Sequence, residues 1–246
     1  MFKEEDTLKF RKLFGIDPRE LNGRIIISPF FKADFFKPYL KNRVSFKGLL
    51  YHGIKGVYQQ KTVIYINAGI GHILVRDCIL AQNSEQVQKI IFLGTAGAVS
   101  NFKIGDCVLV KKAFFDFPGL IPYFKNKSED NYCCANTSLL KDCDNFLRRK
   151  NVVLDKIDLI SLNSLWQQTP AMALNFKQRN IAAVDLECAV FYGAAKQKNI
   201  KALAFCYISD LFLTKPYWTC FSKQEKTQMK KSREFLIAIA LGLSVS

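Results

Sequence analysis

The chain has 246 residues, 49% of them hydrophobic and 23% charged, a length and composition that fit one α/β domain and exclude a chain dominated by disorder. Its formal net charge of +15 is spread over the whole length, and the densest cluster, Lys223 to Arg233, also carries Glu225. The charge therefore reads as a solvated, lysine-rich surface and not as a device for binding a specific nucleic acid. The eight cysteines include several inside apolar runs such as Asp106-Cys-Val-Leu-Val110, and with two histidines and no Cys-x-x-Cys pair they read as buried thiols, with no metal site expected. A reducing cytoplasm is the expected compartment.

Met1 to Gly15 is charged and lacks an apolar core of signal-peptide length, so no secretion signal is read there. Residues 1–23 are set apart as an N-terminal extension, and residues 24–246 form the expected catalytic domain. From there, short β-branched runs alternate with helix-like stretches, which is an α/β pattern. Arg24 to Ser28 is predicted as a strand, Lys32 to Leu40 as a helix, and Leu49 to Tyr58 and Thr62 to Ala68 as strands. The last runs into Gly69-Ile-Gly71 and a helix from His72 to Asn83, so its glycines allow a tight turn at a strand end, where ligands bind in such sheets. Leu74 stands where the third glycine of a dinucleotide fingerprint would be, and no nicotinamide cofactor is expected. Strands Lys89 to Gly94 and Asp106 to Lys111 follow, and the polar stretch Lys125 to Asn136 reads as a long surface loop. Further strands are predicted at Leu154 to Ser161, Ala182 to Asp185 and Lys201 to Ile208, with helices at Pro170 to Arg179, Glu187 to Lys198 and Ser222 to Leu243. The apolar run Phe235 to Leu243 is about half the ~20 residues that cross a bilayer, so no membrane association is expected.

Three segments carry a resemblance. They are Ala68-Gly-Ile-Gly71 after a strand, Ile91-Phe-Leu-Gly94-Thr-Ala-Gly97-Ala-Val followed by Ile104-Gly-Asp106-Cys-Val-Leu-Val, and Ala183-Val-Asp-Leu-Glu187-Cys-Ala-Val with Ile208-Ser-Asp210 placed 23 residues beyond the glutamate. In this order and spacing the chain resembles the nucleoside phosphorylase and nucleosidase superfamily. The resemblance implies a single α/β domain with a mixed, twisted central sheet flanked by helices, and cleavage of the bond between a ribose-type sugar and a base, a purine nucleoside in first place. It also implies assembly as a dimer or a trimer of dimers.

The residues themselves agree with that chemistry. Glu187 sits where a strand meets a helix N-terminus, so its carboxylate can stay ionised and accept hydrogen bonds from two vicinal hydroxyls. The plain alternative is a glutamate that caps its own helix. Asp210 ends an apolar strand, where partial desolvation favours the protonated form, and a protonated acid can donate to a departing base. Its plain alternative is a turn aspartate.

Carried over position by position, the resemblance places Gly71, Thr95, Ala96 and Gly97 around the sugar and its attacking group, with backbone amides able to hold an oxyanion. Counting back from Glu187, Leu165 and Trp166 fall at the base-stacking positions, and Leu186 replaces a methionine beside the sugar. Phe92 occupies the place of a phosphate-binding arginine, while Lys32 and Lys47 lie near the places of two others. Inorganic phosphate is thus the expected co-substrate, with no other cofactor. Hydrolysis stays open as a second outcome, with Asp34 as the residue that would hold the water. A non-catalytic nucleoside-binding or RNA-associated protein on the same fold is the third.

Overall fold

The computed structural model describes residues 4–116 and 131–246. Among these, ten strands join in one mixed sheet: β1 (Arg24–Ser28), β2 (Lys41–Lys47), β3 (His52–Tyr58), β4 (Lys61–Asn67), β5 (Lys89–Ala98), β6 (Cys107–Phe115), β7 (Tyr132–Cys134), β8 (Asp155–Ser161), β9 (Ala183–Asp185) and β10 (Lys201–Leu211). The helices are α1 (Glu4–Phe14), α2 (His72–Leu80), α3 (Thr137–Arg149), α4 (Pro170–Gln178), α5 (Cys188–Gln197) and α6 (Lys223–Val245). The expected mixed α/β architecture is present.

β5 is the axis of the sheet. It pairs in parallel with β10 along its length, from Lys89 opposite Lys201 to Ala98 opposite Leu211. Its first half also pairs with β1, and its last two residues pair antiparallel with β9. Because β10 continues to β6, β6 to β8 and β8 to β9, the sheet closes on itself through these five strands, while β1, β4, β3 and β2 extend from β5 as an open wing. Strands covered on both faces need apolar side chains at successive positions. Ile25–Ile27, Ile90–Leu93 and Ala202–Cys206 supply them and are all buried.

Several sequence expectations change. The helix expected at Lys32 to Leu40 is reduced to one 3-10 turn, Ala33–Phe35, since Pro38 cannot continue a helical ladder. The strand expected from Leu49 begins at His52, because Gly48 N donates to Tyr51 O (2.8 Å) and closes a turn. β2 was not anticipated: it is the sheet's edge, and of its side chains Phe46 alone is buried, so it carries no alternating apolar signal. α3 was missed although it buries Leu139, Cys143, Phe146 and Leu147 at helical spacing, and the Asn136 side chain caps it by accepting from Leu139 N (3.1 Å). Of the loop expected at Lys125 to Asn136, residues 125–130 lie outside the described residues, and β7 occupies part of the remainder.

The segment before Arg24 is packed into the core through Phe10, Phe14 and Leu21. Phe14 lies against Tyr51, whose hydroxyl donates to Leu74 O in α2. α6 starts on a reciprocal capping box between Ser222 and Glu225, and at its other end Lys61 and Lys89 donate to the carbonyls of Val245 and Leu243. α5 has no solvent face over Cys188–Ala195. Its Tyr192 hydroxyl donates to Val110 O (2.5 Å) and accepts from Ala204 N (2.9 Å), bridging β6 and β10 where they pair. All eight cysteines are free thiols. Among the described residues no helix is long and apolar enough to cross a membrane.

Candidate active site

The carboxyl ends of β5, β9 and β10 and the turn after β4 meet around a cavity of about 370 Å³. Two carboxyl groups converge there, and each is aimed by a local irregularity. In β10 the pairing with β5 slips between Ile208 and Asp210, so that Ser209 is bulged out and Asp210 stands opposite Gly97. A Cβ at position 97 would lie 2.9 Å from Asp210 Oδ2, and only glycine leaves the carboxyl its place. Ser209 Oγ donates to Asp210 Oδ1 (2.6 Å). Burial raises the Asp210 pKa, against smaller opposing effects from the Ser209 hydroxyl and the Tyr217 backbone.

Glu187 stands at the N-cap position of α5 yet makes no cap hydrogen bond. Asp185 does that work: its Oδ2 accepts from Cys188 N (2.8 Å) and its Oδ1 from Ser161 Oγ (2.5 Å), while Ser161 Oγ accepts from Ala189 N (2.9 Å). The Glu187 side chain crosses instead to the turn after β4, where Oε1 accepts from Gly71 N (2.8 Å). Gly71 holds φ 108° and ψ 150°, a conformation open to glycine. The plain reading of Glu187 as a helix cap is thereby set aside.

The expectation of an ionised Glu187 also changes. Burial, with the Asp185 carboxyl beside it, pushes Glu187 up to about 8, opposed only in part by hydrogen bonds from backbone amides, and among the described lining residues there is no lysine or arginine.

Thr95, Ala96, Gly97, Leu165, Leu186, Glu187 and Asp210 all line this one cavity. Gly71 lies one hydrogen bond away, and its amide, expected to face an oxyanion, is given to Glu187. Trp166 is 98% exposed and outside the lining. Lys32 and Lys47 are likewise exposed and outside it, and Asp34 is exposed and paired with Lys37 (2.7 Å). Phe92 is a core residue against Phe191, and among the described residues the lining includes no lysine or arginine.

Sequence reasoning missed Asp185, Ser161 and Gln168. The first had a signal, an aspartate three residues before the first helical amide at a strand-to-helix junction. Ser161 is brought beside it by strand register alone. Gln168 lines the cavity with a buried Oε1 that has no partner among the described residues, and nothing in its sequence neighbourhood marks it. A larger cleft of about 750 Å³ between β7, the start of α3 and the end of α5 contains none of these groups. Among the described residues no group of three or more His, Cys, Asp or Glu side chains is placed to hold a metal ion.

The sequence model of the phosphorylase superfamily matches residues 30–241. The chain is 24% identical over 191 residues to the DeoD-type purine nucleoside phosphorylase of Buchnera aphidicola subsp. Acyrthosiphon pisum (strain Tuc7), covering 76% of this chain and 79% of that one. It is 27% identical over 183 residues to the DeoD-type enzyme of Xenorhabdus nematophila, covering 72% and 74%. In fold it is similar to the crystal structure of uridine phosphorylase from Vibrio fischeri ES114, with a TM-score of 0.79, 17% identity and 93% of each chain covered.

Proposed function

The chain belongs to the phosphorylase superfamily, and we propose on that premise that it cleaves the N-glycosidic bond of a purine nucleoside with inorganic phosphate, releasing free base and a sugar 1-phosphate. The observation that carries this reading is the convergence of Asp210 and Glu187 on one apolar-walled cavity of nucleoside size. Asp210 donates its proton to the departing base, and Glu187 fixes the ribose hydroxyls, which can accept from the protonated carboxyl and donate back to it. As the bond breaks, positive charge develops on the sugar. On donating its proton Asp210 becomes a carboxylate, and a desolvated site with that charge and no lysine or arginine among the described lining residues is electrostatically suited to the cationic sugar.

The base lies between Leu165, Val184 and Leu162, with Gln168 presenting its unpartnered Oε1 to an N–H on the base edge. The printed names of the sequence relatives support purine over uridine, and phosphate over water. The phosphate is held by the Thr95–Gly97 backbone and by Lys32, two residues beyond the cavity-lining Phe30, with Lys47 as a second cation. Hydrolysis is the second reading, favoured by the absence of lysine and arginine from the lining among the described residues. The proposal includes no metal or organic cofactor, a cytoplasmic location and a homo-oligomer.

Incubation with inosine, adenosine and uridine, with and without phosphate, tests it by chromatography of base and sugar products. Purine release that requires phosphate is expected. Release at the same rate without phosphate, with free sugar, would select hydrolysis. Release of no base from any of the three would overturn the catalytic reading.

A further inference from the structure

The geometry points to a positioning pair behind the site. We propose that Ser161 and Asp185, by capping α5 between them, keep the Glu187 carboxyl off its own helix and seated against the Gly71 turn. That this seat is where the sugar hydroxyls are met rests on the function proposed above.

The first amides of a helix lack intrahelical partners, and a glutamate at the N-cap is an available acceptor for them. In α5 two of these amides are already satisfied. Cys188 N donates to Asp185, and Ala189 N donates to Ser161 Oγ. Ser161 and Asp185 are neighbours because β8 and β9 pair in parallel with these two residues in register. The Ser161 hydroxyl then uses both of its functions, donating to Asp185 Oδ1 and accepting from Ala189 N. All three side chains are buried, so water offers the amides little substitute. With the helix end satisfied, the free Glu187 side chain finds its partner in Gly71 N, 116 positions away. Ser161 is absent from the cavity lining and reaches the site through Asp185.

Replacing Ser161 by alanine removes the donor to Asp185 and the acceptor for Ala189 N together. The nearest replacement acceptor is the Glu187 carboxyl, which would then leave Gly71. The test is amide hydrogen exchange on the whole chain, read at Gly71 and at the core amides of β5. In Ser161→Ala, Gly71 exchange should rise by about tenfold, the worth of one hydrogen bond, with β5 protection unchanged. In parallel, the preference for a riboside over its 2′,3′-dideoxy counterpart should fall, a change that general loosening would not produce. If Ser161→Ala does not fold, Asp185→Asn, which conserves volume, is read in the same way.

Wild-type exchange at Gly71 in a folded variant would overturn the proposal. A protein that cleaves no nucleoside but shows the Gly71 change would sink the catalytic reading and leave this one standing. Cleavage with unchanged Gly71 exchange would do the reverse.

Discussion

The Gly71 amide donates to the Glu187 carboxyl over 2.8 Å, tying the turn after β4 to the start of α5. The turn depends on the backbone of Gly71, and an added Cβ there meets nothing within 4 Å. The cost of Gly71→Ala is therefore conformational, about 1–3 kcal/mol. Denaturant unfolding should show that loss, and riboside binding should weaken as Glu187 loses its seat. A variant as stable as the parent would mean that the turn relaxes freely.

Asp210→Asn should lower base release by at least about a hundredfold, the usual worth of general acid catalysis, while the melting temperature holds. Gly97→Ala probes the same group without replacing it, since the methyl would press on Asp210 Oδ2. Steady-state rates for both variants should fall with folding intact. Full activity in either would remove Asp210 from its assigned place.

Burial and the neighbouring Asp185 carboxyl push Glu187 up to about 8 from the ordinary glutamate value of 4.5. A raised folded-state pKa contributes stability that is fully present below the unfolded value and is lost as pH rises through the folded one. This contribution should thus be largest below about pH 4.5, decline between about 4.5 and 8, and be absent above. Thermal melts of the parent and Glu187→Gln across that range should converge at the acid end, with the variant relatively more stable at the alkaline end. Parallel curves would show that folding leaves the Glu187 pKa unshifted.

Lys32→Ala should raise the phosphate concentration that gives half-maximal rate by about tenfold, the loss of one charge-assisted contact, and leave the riboside KM near its parent value. Phosphate titrations at saturating nucleoside measure both. An unchanged phosphate requirement would remove Lys32 from the phosphate site and turn attention to Lys47.

The strands of the sheet's centre were legible because burial on both faces writes uninterrupted apolar runs, as in Ile90 to Leu93. β2 was not, since an edge strand with outward side chains writes no such pattern. Asp210 and Glu187 could be named from the chain, yet their aim could not. One depends on a one-residue slip between β10 and β5, the other on Asp185 and Ser161 relieving Glu187 of capping. The upward shift of Glu187 is not legible in the sequence for a related reason: a helix N-terminus promises free amides, and in space these are already taken. Ser161 enters only through the register of two strands whose pairing a linear reading does not contain.

The placement of β5 between β1 and β10 bears on how the protein is made. β1 and β4 are synthesised around the time of β5, but its other long neighbour, β10, lies more than a hundred residues later in the chain. Until Lys201–Leu211 has left the ribosome, the apolar stretch Ile90–Leu93 has one unpaired edge, the kind of surface that recruits foreign strands. Nascent chains halted before β10 therefore carry that open edge. The same delay means that Asp210, the proposed proton donor, is seated only when the central ladder is complete, because it belongs to the strand that closes it.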